Sequence, residues 1–372
     1  MKKVIVGLSG GVDSAVAVIE LLKQGYEVEA MFMRNWDSSI NNDILGNPND
    51  PNDVCPQEKD YMDAVSVAEK LGVKLHRVDF VEEYWNYVFE YFLTEYKNNR
   101  TPNPDILCNK EIKFKAFLNK AMEYGCDYIA MGHYARINHT ENGSILLRGL
   151  DDNKDQTYFL SQLNKEQLSK ALFPIGHLNK KDVRLIAKEY NLDVATKKDS
   201  TGVCFIGERN FKEFLMNYLP AKPGYMKDMN GNIVGQHDGI MYYTIGQRHG
   251  LGIGGSGDPW FVIGKIPSEN ILLVGQGTDN EYLYSNRCIV SHVNWLGEPF
   301  EGFRNCTAKF RYRQKDVNVK IHFIDKDIIE VLYPEKSKAV TPGQACVFYD
   351  GEVVLGGSTI DEVYMDDVKR LY

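Results

Sequence analysis

The chain has no CxxC pair, no apolar run long enough to cross a bilayer, no internal repeat and no low-complexity tract. Each absence removes a class of function. The seven cysteines, Cys55, Cys108, Cys126, Cys204, Cys288, Cys306 and Cys346, are odd in number and scattered. That argues against a zinc knuckle or a thioredoxin-type site. A membrane helix needs about 18 or more consecutive apolar residues, and none occur. The start, Met1-Lys2-Lys3-Val4-Ile5-Val6-Gly7, is basic and then apolar, but its apolar part is too short for a signal peptide. The expectation is a cytoplasmic protein with reduced thiols and no membrane partner. Positive charge is also in short supply: 43 Lys and Arg face 51 Asp and Glu, a net −8. Nucleic-acid affinity comes largely from phosphate neutralisation, so any RNA-binding role has to rest on local basic patches.

What is present is a 372-residue chain, 43% hydrophobic and 25% charged, the balance of globular protein in two or three domains. Up to residue 132, short apolar runs alternate with helical patterns. Strands are expected at 4–8, 28–32, 75–78 and 128–131, and helices at 14–24, 61–71, 80–97 and 110–124. This alternation predicts a doubly wound parallel sheet with helices on both faces, whose ligands sit beyond the carboxyl ends of the strands. Asn142-Gly143 signals a hairpin. Helical patterns return over 156–172 and 181–190, and Phe211, Phe214, Leu215 and Tyr218 share one helical face. After Pro220, turn signals such as Pro223-Gly224, Asn230-Gly231 and Asp350-Gly351 separate short β-like runs. The expected organisation is an α/β domain over 1–206, a small central domain over 207–275 and a C-terminal β-barrel over 276–372.

The first strand runs into Ser9-Gly10-Gly11-Val12-Asp13-Ser14 and then a helix. Two glycines let the backbone turn tightly and approach an anion, and the helix N-terminus attracts phosphate. No Gly-Lys-Ser/Thr follows, so this is not the Walker loop. The pattern resembles the PP-loop of ATP pyrophosphatases, which adenylate an oxygen and release pyrophosphate. Such activation turns a poor leaving group, a carbonyl oxygen, into a good one.

Two cysteines sit in unusual surroundings. Cys108 follows Thr101-Pro102-Asn103-Pro104-Asp105-Ile106-Leu107, an irregular stretch, and precedes a helix expected near Lys110. A helix N-terminus with Lys110 and Lys113 nearby would favour its thiolate, and Asp105 is an acid or base candidate. Cys204 lies between Gly202 and Gly207, with Lys197 and Lys198 close in sequence. The other five cysteines read as small hydrophobes.

These blocks, with MGHYAR, KDQTYFL, STGVCFIGERNF, YLPAKPG, GQRHGLGIGG and KFRYRQ, resemble the bacterial tRNA 2-thiouridylases along nearly the whole chain. The resemblance implies that Gly7, Leu8, Ser9, Gly10, Gly11, Val12, Asp13, Ser14, Met33 and Gly132 bind ATP, which Mg2+ accompanies. It implies that Cys204 carries sulfur as a persulfide, that Cys108, 96 residues away, is its partner nucleophile, and that Asp105 assists. Asn103, Pro104 and Asp105 would contact the target base. His133, Lys154, Asp155, Gln156, Arg311, Tyr312 and Gln344 would contact tRNA. The implied partners are a tRNA with a wobble uridine and a sulfur donor such as a cysteine desulfurase or a relay protein. No metal site of its own is expected.

Two rival readings keep parts of this pattern. An amidating PP-loop synthetase needs no cysteine pair, and a tRNA-binding module with a vestigial loop consumes no ATP. In Lys309-Phe310-Arg311-Tyr312-Arg313-Gln314-Lys315, strand periodicity puts the four cations on one face, yet the resemblance assigns both Arg311 and Tyr312 to tRNA. The strand therefore has to end, bulge or present an edge there.

Overall fold

The computed structural model describes residues 1–43, 56–198 and 211–372, so Cys55 and Cys204 lie outside the described residues. The chain divides into two compact units. The first contains Met1–Glu90, Pro104–Phe214 and Glu352–Val354; the second contains Tyr91–Asn103, Leu215–Gly351 and Leu355–Tyr372.

The first unit is built on five parallel strands: β1 (Lys3–Gly7), β2 (Glu27–Arg34), β3 (Leu75–Asp79), β4 (Tyr128–Ala130) and β7 (Ala171–Leu172), in the order β3-β2-β1-β4-β7. Strand alternation sorts the side chains. Val4, Val6, Leu8, Val28, Ala30, Phe32 and Ala130 share one core with α1 (Val12–Lys23), α2 (Pro56–Leu71) and α7 (Lys180–Glu189). Ile5, Met31 and Ile129 are buried as well but belong to the opposite strand positions. Strands buried on both faces read as continuous apolar runs, which is what the sequence shows. α1 ends as expected: Gln24 caps it and Gly25 follows at φ +80°.

Three elements differ from the sequence reading. The aromatic helix α3 (81–97) contains a π-helical stretch, Trp85–Phe89. The helix expected from Lys110 begins at Pro104: α4 (104–123) opens with Pro104–Leu107, is π-helical over Cys108–Ala116 and finishes as α-helix. Proline is preorganised for a first helical turn, so Pro104 starts the helix that its neighbours seemed to prohibit. The single helix expected over 156–172 is broken into α5 (Thr157–Leu160), α6 (Lys165–Ser169) and strand β7. Asn164 explains the break: its side chain accepts from the Gln167 N–H while the Gln167 side chain accepts from the Asn164 N–H, starting a new helix. The hairpin β5 (Ala135–Thr140) and β6 (Gly143–Arg148) forms as expected, with Gly143 at φ +128°.

In the second unit, β8 (Gly224–Lys227), β9 (Ile233–His237), β10 (Trp260–Ile266) and β11 (Ile271–Gln276) make a four-stranded sheet in the order β10-β11-β8-β9. Strands β12 (Tyr284–Trp295), β13 (Arg304–Lys309), β14 (Val317–Asp325), β15 (Ile328–Lys338), β16 (Ala345–Asp350) and β17 (Val353–Met365) run in the order β12-β15-β14-β13-β16-β17, and β17 pairs back onto β12. That last ladder closes a six-stranded barrel and removes the edge. Alternate residues Ile329, Val331 and Tyr333 of β15 fill its interior.

Residues 99–103 cross this second unit as a strap. The Thr101 N–H donates to Pro342 O (3.0 Å), and Gln344 Nε2 donates to Thr101 O (2.8 Å) and Pro102 O (3.3 Å). Arg100 pairs with Glu95 (2.7 Å) and Asp361 (2.8 Å). Lys265, only 5% exposed, donates to Asn99 O at 2.9 Å. Burial pulls the Lys265 ammonium down to about 7 from 10.5. The unfolded chain therefore binds a proton that the folded one resists, and stability falls as pH drops from 10.5 towards 7. Lys265→Met has no such term, so its melting temperature should gain on the wild type by several degrees as pH is lowered through this window. A gap independent of pH would contradict the buried charge.

Candidate active site

In the sheet of the first unit, β1 lies between β2 and β4, and the chain departs in opposite directions on its two sides. A crevice at the carboxyl ends of β1 and β4 is the position such a sheet offers a ligand. The Ser9–Ser14 loop follows β1, and Met131–Tyr134 follow β4. The loop is fixed from within: the Ser9 N–H donates to Ser14 Oγ (3.2 Å), and Ser14 Oγ donates to Gly11 O (3.1 Å). Gly11 is the N-cap of α1, in extended conformation, and no side chain caps this helix. Its first-turn N–H groups are left for an anion.

Glycine is required by crowding at two positions. Gly10 has φ +73°, and a Cβ there would lie 2.1 Å from Asp60 O. A Cβ on Gly132 would lie 2.8 Å from Ser14 N and 2.9 Å from the Asp13 carbonyl carbon. At Gly7 an added Cβ would meet Met131 Sδ at 2.6 Å and Met33 Cε at 3.4 Å. Gly7, Met33 and Gly132, far apart in sequence, are thus gathered around the 8–14 loop.

Sequence reasoning missed two lysines that reach this loop. Lys180, the first residue of α7, holds both carboxylate oxygens of Asp13 at 2.7 and 2.8 Å. Lys197 donates to Gly10 O at 3.0 Å and pairs with Asp60 (2.7 Å) and Asp63 (2.5 Å). Burial lowers the Lys197 pKa, but its hydrogen bonds to the Asp60 and Asp63 carboxylates outweigh this and raise the group above 10.5. Nothing local in the sequence connects positions 180 and 197 to residue 13 or 10; only the helix order of the fold does.

A chain of contacts leads from the loop to Cys108. Tyr134 Oη donates to Asp13 Oδ1 (2.8 Å). Tyr134 and Gln156 are joined twice, the Tyr134 N–H donating to the Gln156 side chain at Oε1 (3.0 Å) and the Gln156 N–H to Tyr134 O (2.9 Å). Gln156 begins α5, and Phe159 O of that helix accepts from Asn109 Nδ2 (3.1 Å), the residue after Cys108. Cys108 itself is 1% exposed. Because α4 starts at Pro104, Cys108 lies one turn inside the helix, not just ahead of it. The helix N-terminus falls instead beside Asp105, an acid in the first turn.

The residues assigned to tRNA have varied surroundings. Asp155 is buried and accepts from the Gly149 N–H (3.1 Å), the Thr157 N–H (3.2 Å) and Thr157 Oγ1 (2.8 Å). His133 is buried between the rings of Phe114 and Phe173. Burial, with Lys113 adding, holds its imidazole neutral, well below 6.5. Asn103 belongs to the strap of the second unit, and Gln344 binds that strap through its side-chain amide. Strand β13 ends at Lys309, so the four-cation face does not form; Arg311 instead donates to Ile245 O (2.7 Å) and Thr341 Oγ1 (2.9 Å). Lys154 and Tyr312 are half-buried. Burial raises the thiols of Cys126, Cys288 and Cys346, and lifts Cys306 to about 12, which makes all four poor nucleophiles.

Comparison with known proteins decides the family. A family described as "tRNA methyl transferase HUP domain" matches residues 2–208; a "tRNA methyl transferase PRC-barrel domain" matches 212–276 and an "Aminomethyltransferase beta-barrel domain" matches 285–360. The chain is 58% identical to the tRNA-specific 2-thiouridylase MnmA of Acholeplasma laidlawii, over 100% of this chain and 99% of that one. The chain belongs to the tRNA-specific 2-thiouridylase family. Similar relatives are tRNA-specific 2-thiouridylase MnmA 2 of Geobacillus kaustophilus, 58% identical over 100% of this chain and 97% of that one, and MnmA of Bacillus cytotoxicus, 56% identical over 97% and 95%. The family fold is the one described above: a PP-loop α/β domain, a central domain and a β-barrel.

The glycine contacts give a direct test of the loop's geometry. Gly132→Ala puts a methyl against the α1 backbone, which cannot yield without moving the helix start. It should weaken ATP binding by about tenfold or more and cost about 1–3 kcal/mol of stability. Equilibrium binding and denaturant unfolding measure both; an alanine variant equal to wild type in both would mean the contact is relieved cheaply.

Proposed function

We propose that this enzyme replaces the C2 oxygen of a tRNA wobble uridine with sulfur, using ATP. The observation that carries the reading is the uncapped, glycine-built turn from β1 into α1, joined by hydrogen bonds to the residue beside Cys108. The full-length identity to tRNA-specific 2-thiouridylases supports the same substrate.

The chemistry balances in three steps. The uridine O2 attacks the α-phosphorus of ATP, forming a C–O–P bond and expelling pyrophosphate. The terminal sulfur of a Cys204 persulfide attacks C2, and AMP leaves with the former O2. The Cys108 thiolate then attacks Cys204 Sγ, breaking the S–S bond; 2-thiouridine is released and a Cys108–Cys204 disulfide forms, which a cellular dithiol reduces. Mg2+ neutralises part of the triphosphate charge. Asp105, in the first turn of the Cys108 helix, is the acid–base candidate. Asn103, Pro104 and Asp105 contact the target base, which has to leave the stack for its O2 to reach the loop. Lys154, Asp155, Gln156, His133, Arg311, Tyr312 and Gln344 contact tRNA directly or shape the surface that does. The sulfur donor is a cysteine desulfurase or relay protein, and the setting is cytoplasmic. Among the described residues no helix is long and apolar enough to cross a membrane.

The experiment supplies purified protein with an unmodified tRNA transcript, MgATP, cysteine and a cysteine desulfurase. 2-Thiouridine and AMP should appear in equal amounts, and only with uridine at the wobble position. Cys204→Ala and Cys108→Ala should each lower 2-thiouridine by about a hundredfold or more while leaving a single turnover of pyrophosphate release. Full thiolation by Cys204→Ala would refute the persulfide route. Dependence on a methyl donor, with no sulfur incorporated, would favour methyl transfer instead.

A further inference from the structure

The phosphate loop contains no cation of its own, and the chain carries a net −8. A triphosphate brings about four more negative charges. The backbone donors of the loop and of α1 supply only partial charges, about half a unit at the helix end. Besides the Mg2+ that accompanies the nucleotide, the first unit has positive charge to offer from outside the loop.

Two ammonium groups are there. Lys180 Nζ reaches Asp13 from the start of α7, with 13% of its side chain exposed. Lys197 Nζ reaches Gly10 O from 187 positions away, between Asp60 and Asp63. Their carboxylate partners hold both lysines at the loop. Two lysines against Asp13, Asp60 and Asp63 leave this cluster with one net negative charge. Lysine is the right residue type: a compact ammonium acts as a point charge on phosphate oxygens and changes partner without a fixed fork geometry.

We propose that Lys180 and Lys197 exchange these carboxylates for the phosphate chain of ATP and are the cations of the pyrophosphate-binding site. This rests on the nucleotide-activation reading above and assigns two residues to it. Because the cluster is itself net negative, nucleotide binding depends on a divalent cation arriving with it. Release of pyrophosphate returns both lysines to their aspartates, which resets the loop.

The test is equilibrium binding of MgATP and of AMP to the full-length protein, wild type against Lys180→Met, Lys197→Met, Lys180→Arg and the double variant Asp13→Asn/Lys180→Met. Each Met variant should weaken MgATP by about tenfold or more, equivalent to about 1.4 kcal/mol, with AMP affinity changed little. Lys180→Arg should keep most of the affinity. The double variant separates contact from charge balance. If Lys180 touches phosphate, the double variant stays as weak as Lys180→Met. Wild-type affinity in the double variant would mean that Lys180 only neutralises Asp13, and the proposal fails for it. Unchanged MgATP binding in the Met variants, or equal losses for ATP and AMP, would overturn it for either lysine. A wild-type protein that binds no nucleotide would overturn both this proposal and the activation chemistry beneath it.

Discussion

The Asp13 carboxylate is the point on which the first unit's site depends. It stands in the first turn of α1 and accepts from Tyr134 Oη and Lys180 Nζ. Those bonds tie three segments together: the loop after β1, the residues after β4 and the start of α7. A carboxylate there suits the helix dipole, but it also places a negative charge where a triphosphate would lie. The fold resolves that conflict by bringing a lysine to it from 167 positions away. From Tyr134 the same network continues through Gln156 and α5 to Asn109, beside Cys108. The 8–14 loop and Cys108 are therefore mechanically continuous within one unit.

The second unit has a different logic. Its strap, residues 99–103, is held by a buried lysine, a salt-bridged arginine and the amide of Gln344. The strap leads covalently into Pro104, where α4 begins. Gln344 and Arg311, which the resemblance assigns to tRNA, donate hydrogen bonds to protein carbonyls and to the Thr341 hydroxyl. Both side chains thereby fix backbone within the second unit.

Sequence periodicity located the parallel sheet, its helices and the barrel, because buried strands and amphipathic helices obey simple spacing rules. It misplaced features decided by single residues. Pro104 opened a helix where proline spacing suggested irregular chain, and Asn164 cut one helix into two. The β13 strand stops at Lys309, so an apparent cationic stripe became a turn. The loop 8–14 was readable because glycine, hydroxyl and helix start are contiguous. Lys180 and Lys197 were not, since their relevance arises only when α7 and the stretch after it fold against α1. The partner cysteine, Cys204, falls outside the described residues, so its chemistry rests on the family and on the thiolation assay.

The central claim is that the uridine oxygen departs on AMP. The most direct measurement uses a transcript carrying 18O at the C2 position of its wobble uridine, with MgATP and a sulfur source, and weighs the products. The account predicts 18O in the AMP phosphate and none in the thiolated RNA or in water. Unlabelled AMP alongside 2-thiouridine would contradict it, because ATP would then be consumed without activating the oxygen that sulfur replaces.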